Sequence, residues 1–262
     1  MGARTLRCRQ AVHHDERRRM DKNAERIKSV VRERYGGLAR RQQQSCCAPS
    51  SCCPPGDKLY DPSDIAELPQ EVSDFSLGCG NPVAAAGLRE GEVVLDLGSG
   101  GGLDCFLAAK RVGGKGRVIG LDMSPDMLDL ARKNADRLGA ANVEFRSGEM
   151  EAMPVKSGSV DVIISNCVVN LSPDKDAVFR EAFRVLKPGG RLSISDISLI
   201  GELDGETRGS LEAWASCVAG ALPKDDYLEK LRQAGFTDIT TAEKNWRYIP
   251  TVSMWVSAVR PA

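Results

Sequence analysis

Histidine is nearly absent from this chain, which has two among 262 residues, His13 and His14, both in a charged leader. A histidine general base and a mixed cysteine and histidine zinc site are therefore nearly excluded from the main part of the sequence. Net charge is also absent, because 36 basic residues balance 36 acidic ones. This balance gives no sign of nucleic acid or a membrane surface as a partner, so we expect a small-molecule substrate.

Long apolar runs are missing as well. No stretch approaches the roughly 20 apolar residues of a membrane helix, and the start, MGARTLRCRQ, lacks the apolar core of a secretion signal. We therefore expect no membrane partner and a cytoplasmic location. A composition of 42% hydrophobic and 27% charged residues is typical of a soluble chain that buries a substantial core.

Cysteine, by contrast, is frequent, with nine residues. Structural disulfides are unusual in a cytoplasmic chain of this size, so the thiols indicate metal, redox or catalytic chemistry. The segment RQQQSCCAPSSCCPPGD contains two cysteine pairs among turn-forming residues and has no periodicity, which predicts a loop. Four thiolates suffice for a tetrahedral zinc site, and such a site stays an alternative for these pairs.

From residue 92 onward, short apolar runs alternate with amphipathic segments. The apolar runs predict five strands, at 93–98, 116–123, 143–148, 159–169 and 191–197. The segments between them predict helices, two of which have a Ser-Pro start and a glycine stop: SPDMLDLARKNADRLG and SPDKDAVFREAFRVLKPGG. This alternation predicts an α/β fold with a doubly wound, mostly parallel sheet that is covered by helices on both faces.

The two flanks of this region differ from it. Residues 21–36 predict an N-terminal helix that ends at the Gly36-Gly37 pair. After residue 200, two helical segments precede two late strands, DITTAEKNWRYI and SMWVSAVRP, which predict a small α+β addition to the same sheet. We therefore expect three parts: a leader, helix and Cys-rich loop at 1–57, a ligand-binding α/β domain at 58–200, and a C-terminal segment at 201–262.

The motif DLGSGGGLD, residues 96–104, follows the first strand, at the edge where open α/β sheets bind ligands. Its glycines let the backbone approach a ligand, and the next helix presents free N–H groups there. Leu103 stands where a dinucleotide fingerprint needs its third glycine, so the spacing is G-x-G-x-G. Asp96 ends the first strand, placed to hold a ligand ammonium, and Asp122 ends the second, placed to accept ribose hydroxyls.

These features, with LKPGG ahead of the fifth strand, resemble the class I S-adenosylmethionine-dependent methyltransferases, which have a Rossmann-like fold. The resemblance implies S-adenosylmethionine as the methyl donor. Glu149 and Met150 follow the third strand and are expected to border its adenine ring. The expected cofactor-binding residues are Asp96, Gly98, Ser99, Gly100, Gly102, Asp122, Met123, Glu149, Met150 and Asn166.

Three cysteines are expected around the same edge. Cys79 lies in the turn SLGCGNP, Cys167 ends the fourth strand, and Cys217 falls in the helical segment EAWASCVAGALP. Soft thiolates select soft metals and metalloids, and trivalent arsenic held by three thiolates keeps a lone pair that needs no general base to attack a sulfonium methyl. Cys105, on the apolar side of its helix, is expected to belong to the core.

At these segments the chain resembles the arsenite S-adenosylmethionine methyltransferases, over residues 58–235. The family's order is kept by SLGCGNPVA, LDLGSGGGLDCFLAA, IISNCVVNLSPDK, AFRVLKPGGRL and WASCVAGALP. The resemblance implies that Cys79, Cys167 and Cys217 bind and process As(III), and that a further N-terminal cysteine takes part through a disulfide. Either pair, Cys46-Cys47 or Cys52-Cys53, matches that further cysteine, and Cys52 is the choice made here. The resemblance also implies arsenic detoxification, methyl- and dimethylarsenicals as products, and glutathione or thioredoxin as the thiol reductant.

Two other functions stay open at this point. One is a class I methyltransferase that acts on another small metabolite, such as a quinone, with incidental cysteines. The other is a non-enzymatic metalloid-binding protein, against which the intact Asp96, Gly98, Gly100 and Asp122 speak. Cofactor turnover that depends on arsenite distinguishes an arsenite methyltransferase from both of these alternatives.

Overall fold

The structure is a computed structural model that describes residues 3–44, 59–66, 68–73, 77–244 and 250–262. Within these residues, seven strands form one sheet. The strands are β1 (Val93–Leu97), β2 (Arg117–Asp122), β3 (Val143–Ser147), β4 (Val160–Asn166), β5 (Leu186–Leu199), β6 (Thr237–Lys244) and β7 (Thr251–Val259). Their order in the sheet is β3-β2-β1-β4-β5-β7-β6.

Helices connect and flank these strands. In the described residues they are α1 (Ala3–Gln44), α2 (Pro62–Ile65), α3 (Gln70–Ser73), α4 (Pro82–Ala85), α5 (Leu103–Val112), α6 (Pro125–Leu138), α7 (Lys175–Val185), α8 (Gly205–Gly209), α9 (Leu211–Ala215) and α10 (Lys224–Gln233). None of these helices combines the length and the apolar character needed to cross a membrane.

The first five strands are parallel, and the last two complete the sheet in the antiparallel sense. β7 pairs with β5, and β6 pairs with β7. The predicted class I α/β fold with a C-terminal addition is therefore confirmed. The strand order reverses between β1 and β4, so the carboxyl ends of these strands open a crevice, which is where such sheets bind ligands.

The apolar strand runs supply a core on each face of the sheet. Since successive strand residues point to opposite faces, Val94 and Ile164 join the α5 side while Leu95 and Ile163 join the α7 side. All four are fully buried. Burial on both faces explains why β1 and β4 read as nearly continuous apolar runs.

The predicted ends of α6 are confirmed, but those of α7 differ from the prediction. Ser124 accepts a bond from the Met127 N–H at 3.4 Å, and Gly139 closes α6 in the left-handed conformation. At α7, Asp174 rather than Ser172 is the N-cap. The glycine stop was also wrong, because the helix ends at Val185 and the following residues already belong to β5.

Two further helix predictions were wrong. α1 continues through the Gly36-Gly37 pair to Gln44. Gly36 instead allows α1 to pass the start of α6, where an added Cβ would lie 2.6 Å from an oxygen of Asp126. Near the C-terminus, the predicted single helix is split into α8 and α9, so Cys217 lies in the turn after α9 and not in a helix.

Candidate functional site

A cleft lies at the carboxyl ends of β1, β2 and β4, beside α1. Of the predicted cofactor residues, those that line it are Asp96, Gly98, Ser99, Gly100, Asp122, Met123, Glu149, Met150 and Asn166. Gly102 is not among the lining residues. It is the N-cap of α5 with φ 94°, and its missing Cβ leaves space for the ring of Phe106.

The two strand-end carboxylates lie next to the glycine loop, Asp96 buried and Asp122 partly buried. Asp122 accepts the N–H of Gly100 at 2.9 Å and that of Ser124 at 2.8 Å, so it fixes the loop to the end of β2. Asp96 is 2% exposed and accepts the thiol of Cys105 at 3.2 Å. Burial raises the pKa of both carboxyl groups, and the charge of Asp104 adds to the rise for Asp96. A cationic ligand group would offset that cost at Asp96.

The polar atoms and backbone of this loop fit a bound nucleoside and amino acid. Ser99 Oγ is buried and has no hydrogen-bond partner among the described residues, which suits a ligand that supplies one. Gly98 has φ 68°, and an added Cβ would collide with the side chain of Val168. Because Val168 follows Cys167, this close contact brings the glycine loop against the thiol-bearing end of β4.

The Asn166 side chain lies between the cleft and the Cys79 turn. Its oxygen accepts the N–H groups of Cys79 at 3.0 Å and Gly80 at 3.2 Å. Its amide nitrogen donates to Tyr60 Oη, Gly80 O and Asp104 Oδ2 at 2.8–3.1 Å. A primary amide has two hydrogens, so these acceptors fully occupy them. Asn166 therefore anchors the Cys79 turn to the end of β4, while its predicted contact with the cofactor stays a prediction.

The structure brings the three predicted thiols together. The Cys217 thiol donates to the carbonyl oxygen of Cys167 at 3.0 Å. The sulfurs of Cys79 and Cys167 and a carboxylate oxygen of Asp196 all lie within 4.8 Å of one another. Cys167 and Cys217 have φ 61° and 66°. Such left-handed backbone costs of order 1 kcal/mol at each residue other than glycine and is typical of functional sites.

The surroundings of these thiols keep them protonated in the unliganded protein. Burial raises the pKa of Cys79, and its hydrogen bond with Cys167 only partly offsets this. For Cys167, the hydrogen bond with Cys217 lowers the pKa, but contact with Cys79 and burial raise it well above the usual value. The bond with Cys167 and burial both raise that of Cys217. A soft Lewis acid that bound here would displace the protons.

Of the other six cysteines, Cys8 is assigned no role and the remaining five fall into two groups. Cys105, on α5, is fully buried in the core, as the sequence predicts, and burial raises its thiol pKa well above the usual value. Cys52 lies outside the described residues, as do its neighbours in the two cysteine pairs. The predicted role of Cys52 stays a prediction.

Sequence reasoning missed the contribution of α1 to the cleft. Lys28 donates to Glu149 Oε2 at 2.6 Å and lies 3.5 Å from Glu151. Burial lowers the pKa of Lys28, but these two carboxylates outweigh it and raise the pKa overall. Tyr35, two turns further on, lines the cleft and donates to Ala215 O at 3.4 Å. The apolar spacing of the helix indicated a packed face but not what it covers.

Asp196 was also missed, because it sits inside an apolar strand run that reads as core. It is fully buried in β5 and accepts the backbone and side-chain N–H groups of Asn170 and the N–H of Ile197 at 2.8–3.0 Å. Burial raises its pKa to about 7, against the pull of the Lys175 ammonium and these donors. Only the three-dimensional arrangement shows that its carboxylate adjoins the thiols.

Comparisons with known proteins agree with this geometry. A family model described as "Methyltransferase domain" matches residues 88–235. An arsenite methyltransferase of Halobacterium salinarum is 41% identical over 258 residues, which cover 92% of this chain and 66% of that protein. The human arsenite methyltransferase is 41% identical over 181 residues, which cover 66% of this chain and 48% of that protein.

A solved structure is similar as well. It is that of an arsenic(III) S-adenosylmethionine methyltransferase from Chlamydomonas reinhardtii, at 37% identity and a TM-score of 0.66, covering 76% of this chain and 72% of that one. The chain spans about half to two thirds of the length of the curated relatives named above. The chain has the cleft, the glycine loop and the three thiols described above. It belongs to the methyltransferase-domain family and, within it, to the arsenite S-adenosylmethionine methyltransferases.

Proposed function

We propose that this chain transfers methyl groups from S-adenosylmethionine to trivalent arsenic. The observation that carries the proposal is the position of Cys167. It lines the same cleft as Asp96 and Asp122, and it contacts both Cys79 and Cys217. The proposed thiol site for a soft acceptor is therefore adjacent to the proposed pocket for a nucleoside methyl donor, and Cys167 belongs to both.

In this proposal the cofactor end of the cleft holds the methyl donor, which supplies an electrophilic sulfonium methyl group. Asp96 pairs with its ammonium, Asp122 accepts its ribose hydroxyls, and Ser99 donates or accepts one further bond. Glu149 and Met150 border the adenine. Lys28 on α1 holds Glu149 in place through their contact of 2.6 Å. These groups position the donor and do not enter the chemistry.

The thiol end receives arsenic as the substrate. Cys79, Cys167 and Cys217 become thiolate ligands, and the remaining lone pair of the arsenic attacks the methyl group. No general base is required for that attack, so catalysis is largely positioning in a water-poor site. The 201–262 segment completes this end, because it carries Cys217 and places it against Cys167.

A thiol reductant completes the proposed cycle. Methylation removes the lone pair of the arsenic, so a two-electron reduction is needed before a second methyl group is added. We propose glutathione or thioredoxin as the reductant, Cys52 as the further cysteine that takes part through a disulfide, and methyl- and dimethylarsenicals as products of a detoxification reaction. A cytoplasmic location suits the free thiols of the site, since reduced cysteines persist there.

The experiment that tests the proposal measures release of S-adenosylhomocysteine by the purified chain, with thiol reductant present, with and without arsenite. We expect release to depend on arsenite and to saturate with it. A demethylated quinone in place of arsenite is the control acceptor and should give no release. Release of S-adenosylhomocysteine that does not depend on arsenite contradicts the proposal. So does the absence of any release while arsenite still binds.

A further inference from the structure

The thiol end contains a carboxylate that the proposed chemistry does not yet use. An oxygen of Asp196 lies within 4.8 Å of both the Cys79 and the Cys167 sulfur. The residue is fully buried in β5, so water does not screen it. A buried carboxylate is costly, and one beside a row of thiols is not explained by packing.

The hydrogen bonds of Asp196 fix its orientation and partly offset the cost of burying its charge. One oxygen accepts the Asn170 backbone N–H at 3.0 Å, and the other accepts the Asn170 side chain at 2.8 Å and the Ile197 N–H at 2.9 Å. These donors hold the carboxylate in place before any substrate binds. A charge that is oriented in advance stabilises a transition state without reorganisation during the reaction.

Lys175, the cation near Asp196, does not form a hydrogen-bonded ion pair with its carboxylate. The bonds of Lys175 Nζ run to the carbonyl oxygens of Asn170 at 3.3 Å and Ser172 at 3.0 Å, and the ammonium lies over the Trp214 ring, 5.6 Å from its centroid. Lys175 thus favours the ionised carboxylate from a distance. The oxygens of Asp196 remain available to act on charge that develops at the thiols.

Methyl transfer creates such a charge. The arsenic lone pair forms the As–C bond, the C–S bond of the sulfonium breaks, and its electron pair stays on sulfur as a neutral thioether. The positive charge therefore passes from the sulfonium to arsenic, which starts as a neutral tris-thiolate. We propose that the Asp196 carboxylate stabilises the positive charge that arsenic acquires in the transition state. This role rests on the proposed function.

This role predicts an effect on the chemical step and not on substrate binding. A fixed negative charge gains little from a neutral arsenic complex and much from a cationic one, which is differential stabilisation of the transition state. Removing a single oriented electrostatic group typically costs 10²–10³ in rate. Because Asp196 sits beside the sulfur ligands and not necessarily against arsenic itself, we expect a loss of about 10- to 100-fold.

The test compares single-turnover rates at saturating arsenite and S-adenosylmethionine, at one alkaline pH, for the wild type and Asp196→Asn. Arsenite affinity is measured in parallel by equilibrium dialysis and folding by thermal unfolding. We expect the rate of the variant to fall about 10- to 100-fold while arsenite affinity stays within about threefold. A rate within about threefold of wild type, or a loss that saturating arsenite restores, overturns the proposal.

Asp196→Glu is the matched variant, since it keeps a carboxylate at the same position of β5. It should lower the melting temperature but keep the rate within about fivefold of wild type; an equal loss in both variants means that the network is only structural. If Asp196→Asn does not fold, Asn170→Ser carries the test, because it removes the side-chain donor that orients the Asp196 carboxylate at 2.8 Å. The rate of that variant should fall about three- to tenfold at unchanged arsenite affinity, and an unchanged rate contradicts the proposal. A wild type that binds arsenite but never methylates it contradicts the proposed function itself.

Discussion

The two ends of the cleft are built in different ways. The cofactor end comes from one contiguous motif, residues 96–104, and from Asp122 at the end of the neighbouring strand. The thiol end gathers Cys79, Cys167 and Cys217 from three distant segments, and two of them need left-handed backbone. The first end depends on local loop geometry, whereas the second depends on the tertiary fold and on the clamp that Asn166 provides.

This difference predicts that binding of the two proposed substrates is separable in the chain. A change at the glycine loop should impair the methyl donor and spare arsenite, and a change at the thiols should do the reverse. The contact between Gly98 and Val168 is where the two ends meet, so changes there should affect both.

The largest effect is expected from Cys167→Ser. It removes the central thiol, and the hydroxyl that replaces it is a poor ligand for a soft metalloid. Arsenite-dependent release of S-adenosylhomocysteine should fall at least about 10³-fold, with cofactor affinity within about twofold of wild type. Cys8→Ser, at a cysteine to which we assign no role, is the control and should be fully active. Full activity of the Cys167 variant would contradict the three-thiol site.

Asp122→Ala should impair binding of S-adenosylmethionine at the cofactor end of the cleft. It removes the acceptor for the Gly100 and Ser124 N–H groups as well as the proposed ribose contacts. We expect affinity for S-adenosylmethionine to fall about 100-fold, since bonds to charged groups contribute roughly 1.5–3 kcal/mol. Isothermal titration with cofactor and with arsenite measures both ends. Asp136→Ala, exposed on α6, is the control, and parallel loss of both affinities would contradict separability.

Asn166→Ala sharpens the comparison by loosening the thiol end. Without its side chain, the N–H groups of Cys79 and Gly80 lose their acceptor, and the turn is free to move away from Cys167. We expect arsenite affinity to fall about tenfold. Asn142→Ala is the matched control, because that amide also anchors backbone carbonyls, but at the opposite edge of the sheet. Its arsenite affinity should equal that of the wild type.

The smallest effect is expected from Lys28→Met on α1. The Lys28 side chain is 12% exposed and its partner Glu149 35%, so their ion pair is partly screened. We expect cofactor affinity to fall about two- to fivefold, because Glu149 is no longer held beside the cleft. Lys22→Met, exposed on the same helix, should leave affinity unchanged. An equal effect of both variants would show that general charge and not the ion pair matters.

Most of the fold is readable from the sequence because the central strands β1, β2 and β4 are largely buried on both faces. Such strands read as apolar runs, although β4 ends three residues earlier than predicted and β5 is twice as long as predicted. The helix between β2 and β3 has a serine cap and a left-handed glycine where the pattern predicts them. The C-terminal strands were also predicted, and pairing of β7 with β5 confirms them as part of the sheet.

The misplaced residues share a physical cause, which is tertiary contact. Gly36-Gly37 reads as a helix stop, yet Gly36 is required for close passage over Asp126. The sequence around Cys217 predicts one helix. In the structure α9 ends at Ala215, and Cys217 has left-handed backbone from which its thiol reaches the carbonyl oxygen of Cys167. Asp196 reads as an interruption of an apolar strand, and only the packing of β5 against the Cys79 turn reveals its neighbours.

The central claim is that Cys79, Cys167 and Cys217 together form the arsenic site. X-ray absorption at the arsenic edge of the arsenite-loaded protein, with no added thiol, tests it most directly because it counts the atoms bonded to arsenic. The account predicts three sulfur ligands in the wild type and two in Cys217→Ser. A wild-type spectrum dominated by oxygen ligands, or one that Cys217→Ser leaves unchanged, would contradict it.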